Sequence, residues 1–97
     1  MGTPELLNIL RSALPELLQS FGLRALILFG SFARGQARAD SDVDLLAEFD
    51  RPASLFTLAR LQSRLEQLTQ RRVDLGTPET LRPAARQAVL AEARRVA

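Results

Sequence analysis

The sequence predicts an α/β sandwich in which helices cover one β-sheet. Two observations carry that prediction. Stretches with apolar residues at helical spacing alternate with short apolar runs of strand length, and Gly or Pro stands at most of the boundaries between them. No internal repeat or low-complexity tail interrupts the 97 residues. A chain of that length suits one domain, residues 1–97, burying roughly 60 to 65% of the surface its unfolded form would expose.

The elements follow in order. Thr3-Pro4-Glu5 opens a helix, with Pro tolerated in the first turn and Glu favourable at the positive end of the dipole. Leu6, Leu7, Leu10 and Leu14 continue it, and Pro15 either ends it or starts a second short helix over Glu16 to Ser20 that Gly22 stops. Arg24 to Phe29, ending at Gly30, reads as a buried strand. Phe32 to Gln36 opens a short helix, and Ala37 to Ser41 forms a polar loop. Val43 to Phe49 is the second strand, bounded by Asp50-Arg51-Pro52. Ser54 to Gln70 is the clearest helix. Its leucines at 55, 58, 61, 65 and 68 are expected to be core, with Arg60, Arg64 and Gln67 largely on another face. Arg72 to Leu75 is a third strand, stopped by Gly76-Thr77-Pro78, and a last helix rich in Ala and Arg spans roughly Leu81 to Arg95.

Missing residue types prune the chemistry. Without Cys there is no disulfide, thiolate zinc site or thiol nucleophile, and without His the usual general base and transition-metal ligand are gone. All thirteen basic residues are Arg, so lysine chemistry is excluded, and Tyr is absent too. Asp, Glu, Ser, Thr and Arg remain, a set suited to hard cations and phosphates. The net charge of +2 is far from the excess of a dedicated nucleic-acid binder, and the five Phe offer no stacking platform. No apolar run approaches the ~20 residues of a membrane span. Met1 to Leu14 lacks the basic start of a secretion signal, so the cytoplasm is the expected compartment.

The chemistry concentrates in three segments. Gly30-Ser31 follows a strand and precedes a helix, so its backbone N–H groups and the Ser31 hydroxyl can face an anion, and Gly permits close approach. In Ser41-Asp42-Val43-Asp44 the two acids project to one face of an extended chain while Val43 and Leu45 enter the core. Asp74, in another short apolar run, can lie beside them. Each added negative charge within ~5 Å costs about 3 kcal/mol at an effective dielectric of ~20, so a cation should fill the gap, and oxygen ligation specifies Mg²⁺ or Mn²⁺. Arg34 either reaches a phosphate or pairs with the acids.

Each piece alone has an ordinary explanation. The Gly-Ser step can be only a turn, Asp-x-Asp only a surface loop, and Asp74 can pair with Arg71, Arg72 or Arg24. Asp40, Glu48 and Asp50 read as solvated acids, and Arg82, Arg86, Arg94 and Arg95 as a loose solvated face. It is the conjunction that speaks for a site.

Leu28-Phe29-Gly30-Ser31-Phe32-Ala33-Arg34-Gly35, then Ser41-Asp42-Val43-Asp44-Leu45, then Val73-Asp74-Leu75 resembles the signature of the polymerase-β-like nucleotidyltransferase superfamily. More narrowly, size and layout resemble the minimal nucleotidyltransferases, the MNT antitoxins encoded beside helical HEPN-domain toxins. The resemblance covers nearly the whole chain and shows no departure from the three-carboxylate pattern.

It implies a small mixed β-sheet flanked by helices, the nucleotidyltransferase fold, with two Mg²⁺ ions and an NTP substrate, ATP first. Asp42, Asp44 and Asp74 would hold the metals, Asp74 also helping to deprotonate the acceptor hydroxyl. Gly30, Ser31, Arg34 and Ser41 would bind the nucleotide. The implied reaction is transfer of AMP to a tyrosine of a HEPN toxin. The short chain leads to the expectation that the acceptor arrives on a separate macromolecule, and the lack of Tyr rules out tyrosyl self-modification. Two rivals stand beside this reading: a non-catalytic antitoxin that neutralises its partner by docking, and a transferase acting on a small molecule or an RNA end. Association of the chain with itself is left open.

Overall fold

The computed structural model describes residues 1–97, with the side chains of residues 85 and 88 outside the description. Two short helices come first, α1 (Thr3–Ser12) and α2 (Leu14–Phe21). Pro15 starts the second rather than merely ending the first. Gly22 closes α2 in the left-handed conformation that glycine adopts without strain, and β1 (Leu23–Phe29) follows directly. After a four-residue helix, α3 (Gly30–Ala33), and a loop comes β2 (Val43–Phe49). The long helix α4 (Leu55–Thr69) is capped by the Ser54 hydroxyl, which accepts the Thr57 N–H. It leads to β3 (Val73–Gly76), a 3₁₀ turn (Pro78–Thr80), α5 (Pro83–Glu92) and β4 (Arg94–Arg95).

The four strands form one mixed sheet in the order β3-β2-β1-β4. β1 pairs antiparallel with β2 and with β4, whereas β2 and β3, joined through α4, run parallel. Alternation sorts the side chains to two faces. Leu26 and Leu28 of β1 and Val43, Leu45 and Ala47 of β2 are buried against Leu6, Leu10, Leu17, Leu61 and Leu65 from the helices. On the opposite face Ala25 and Leu46 are also buried.

Two expectations from the sequence are corrected. Leu55 is not core: it is 85% exposed. At 100° per residue it lies about 120° round the helix from Leu61, outside the stripe that Leu58, Leu61, Leu65 and Leu68 share. The last helix also ends early. It stops at Glu92, and the chain re-enters the sheet as β4, where Val96 donates its N–H to Leu26 and buries its side chain in the main core.

Candidate active site

Strand pairing, more than loop conformation, assembles the candidate site. Asp44 is the second residue of β2, with Phe29 its partner on β1 and Asp74 its partner on β3. Direct partners in neighbouring strands present their side chains on the same face, so Asp44 and Asp74 emerge side by side. Asp42, two residues before Asp44 and just ahead of the strand, acts on the same charge field. Asp42 and Asp74 are exposed, and Asp44 between them is partly covered.

The register of β3 is fixed from outside the sheet. Val73 N–H donates to Glu66 Oε2 at 3.0 Å, and Val73 C=O accepts from Gln62 Nε2 at 3.0 Å. These two α4 residues, four apart, occupy both hydrogen-bonding groups that an edge strand would otherwise leave open. The carboxylate next along the chain is thereby held in place.

A second anchor holds the loop before Asp42. Arg71 Nη1 donates to the carbonyls of Arg38, Ala39 and Ser41 at 3.3, 2.8 and 3.3 Å. Its guanidinium also lies 5.1 Å from the centre of the buried Phe32 ring in α3. Of the ordinary partners open to Asp74, Arg71 instead clamps the loop and Arg24 pairs with Glu48. The Ser41 hydroxyl accepts the Arg38 N–H at 2.7 Å and closes the same loop.

Gly30 has φ +73 and turns the end of β1 into α3, so the Gly-Ser step forms the first turn of the helix, two residues earlier than its sequence suggested. A Cβ added at Gly30 would lie 2.1 Å from Asp44 Oδ2. Only glycine lets the loop back onto that carboxylate. Ser31 follows it in the same turn, partly exposed. Arg34 Nη1 donates to Glu92 Oε2 at 3.0 Å, and Gly30 N–H donates to Glu92 Oε1 at 3.2 Å. Glu92 has no motif in the sequence to announce it. Only the fold brings the end of α5 to this loop.

The electrostatics are those of crowded acids. Burial raises the Asp44 carboxyl above its ordinary value, and the charges of Asp74 and Asp42 raise it further, with Arg34 opposing and Glu92 adding to the rise. Glu92 is itself held low by the Arg34 and Gly30 hydrogen bonds. Among the described residues no three acids close around one point as a ready-made metal cage. Mg²⁺ rarely needs one, because one or two carboxylates with phosphate oxygens and water complete its shell. An oxygen-only donor set carrying more negative charge than Arg34 offsets fits such a cation.

Residues 7–96 match the family model described as nucleotidyltransferase domain. The chain belongs to the minimal nucleotidyltransferases. Protein adenylyltransferase MntA of Thermococcus cleftensis is 40% identical over 91% of this chain and 89% of its own. A solved structure assigned as a minimal nucleotidyltransferase superposes with TM-score 0.81 at 41% identity, over 97% of this chain and 95% of that one. The fold recurs at 17% identity and TM-score 0.69 in a structure of a tri-AMPylated Shewanella oneidensis HEPN toxin in complex with MNT antitoxin, over 94% of this chain and 71% of that one. It recurs again at 20% identity and TM-score 0.75 in a toxin-antitoxin structure with AMP-PNP, over 90% and 72% of the two chains. Among the described residues no helix of this minimal nucleotidyltransferase is long and apolar enough to cross a membrane.

Proposed function

We propose that this minimal nucleotidyltransferase moves AMP from ATP to a hydroxyl of a partner protein, the hydroxyl oxygen bonding to the α-phosphorus as pyrophosphate leaves, and that the partner is a helical HEPN-domain toxin modified on tyrosine. The observation that carries the reading is the parallel register that sets Asp44 beside Asp74, with the Gly30 loop against Asp44. The relative named protein adenylyltransferase and the fold neighbour containing a tri-AMPylated HEPN toxin support the acceptor class.

The chain's own groups would divide the work as follows. Asp42 and Asp44 would hold the divalent cations, with Asp74 completing their site. When bound, two Mg²⁺ ions would neutralise the triphosphate and favour loss of the acceptor proton. Asp74, which is exposed, would take that proton. The Gly30 N–H, the Ser31 hydroxyl and Arg34 would grip the phosphates, and the Ser41 hydroxyl would shape the loop bordering them. Most of the rate would come from positioning and electrostatics rather than covalent chemistry.

The test is transfer of label from α-³²P-ATP with Mg²⁺ to the co-expressed neighbouring helical protein. Wild type should label it, and the double variant Asp42→Asn/Asp44→Asn should not. If that variant still neutralises the partner as well as wild type, docking rather than catalysis is the biological activity. If wild type labels no protein from any NTP, the proposed reaction is wrong.

A further inference from the structure

The grip expected to take phosphate is already occupied by a side chain of the same molecule. Glu92 Oε1 accepts the Gly30 N–H at 3.2 Å and its Oε2 accepts Arg34 Nη1 at 3.0 Å, a two-oxygen contact that mimics how a phosphate would use the same donors. We propose that Glu92 is an internal competitor for the nucleotide: it holds these two donors at rest, must be displaced by the incoming triphosphate, and lowers the site's affinity for anions. The inference rests on the nucleotide reading above.

Three features separate this role from ordinary bracing. Glu92 is the last residue of α5, and the chain beyond it is tied to β1 by the Val96 N–H to Leu26 C=O bond of 2.8 Å. Its carboxylate is therefore presented to Gly30 at the high effective concentration of an intramolecular group. The contact is nevertheless open to exchange, because the Glu92 and Arg34 side chains keep 26% and 46% of their surface exposed. Finally, Glu92 adds its negative charge to the field around Asp44, to which Asp42 and Asp74 already contribute, so an incoming anion is opposed by charge as well as by occupied donors. A bare polyanion meets occupied donors and the residual charge of the displaced carboxylate. A triphosphate that brings divalent cations offsets that charge, so the penalty on the bare anion should be the larger.

Isothermal titration calorimetry on the full chain reads this directly, using tripolyphosphate without divalent ions and AMP-PNP with Mg²⁺. Glu92→Gln and Glu92→Ala should each bind AMP-PNP about twofold to fivefold tighter than wild type, the upper part of the range expected for loss of a partly exposed ion pair. The gain for tripolyphosphate should be at least as large. Unchanged or weaker AMP-PNP binding in both variants, with wild type binding normally, would show that Glu92 braces the grip and would overturn the competitor. Absence of AMP-PNP binding in all three proteins would instead overturn the nucleotide site itself.

Discussion

Replacing Asp44 with Asn should stabilise the metal-free protein while removing its proposed activity. Asp44 and Asp74 are direct partners on strands spaced about 4.8 Å apart, and carboxylates at roughly 5 to 6 Å repel by about 3 kcal/mol at an effective dielectric of ~20. Partial exposure, salt and the opposing charge of Arg34 reduce this, so the net gain should be about 1 kcal/mol. For a domain of this length that corresponds to a Tm rise of about 4 to 8 °C.

The dependence on pH has a definite sign. The folded-state value of Asp44 is raised above its ordinary 3.8, so this group's contribution to wild-type stability is fully present below that value and is lost as pH rises through the raised one. The advantage of Asp44→Asn should therefore be negligible in acid, open as pH climbs above 3.8, and be complete once the wild-type Asp44 has ionised. Thermal melts from acid to neutral pH, in low salt with a chelator, measure it. Adding Mg²⁺ with AMP-PNP should raise the wild-type Tm and leave the variant nearly unmoved. An Asp44→Asn protein that is less stable than wild type at neutral pH would refute the charge-crowding argument.

Gly30→Ala should lose about 2 kcal/mol or more in urea unfolding, because left-handed strain is joined by a clash with Asp44; Gly35→Ala, at φ +69 with open space around it, should lose less. Arg71→Met should weaken amide-exchange protection in residues 38–41 and cost about 1 to 2 kcal/mol, while Arg71→Lys should recover only part of it. Leu61→Ala should cost about 2 to 5 kcal/mol by denaturant titration, whereas Leu55→Ser should stay within about 0.5 kcal/mol.

The placing of Asp44 beside Asp74 was legible because period-two alternation and strand-length runs carry their own geometry. Val43 and Leu45 mark the core face, which leaves Asp42 and Asp44 on the other. Gly30 was legible as a close-approach glycine, although its target, the Asp44 carboxylate, was not. What stayed hidden depends on contacts distant in sequence. A strand of two arginines, Arg94–Arg95, has no pattern of its own and exists because β1 offers an open edge. Arg71 and Glu92 are ordinary charged residues in sequence, and only the fold turns one into a loop clamp and brings the other to Gly30. Leu55 misled because spacing of three, repeated, drifts round a helix of 3.6 residues per turn.

The parallel pairing of β2 and β3 also decides where this domain can vary in length. Extra residues inserted in the exposed stretch ahead of α4 would lengthen the return path without touching the acids. A single residue added between Gln70 and Val73 would set two hydrogen bonds from α4 in conflict with the strand frame. If the frame yielded by one step, Asp74 would turn to the interior and a leucine or valine would take its place at the solvent edge.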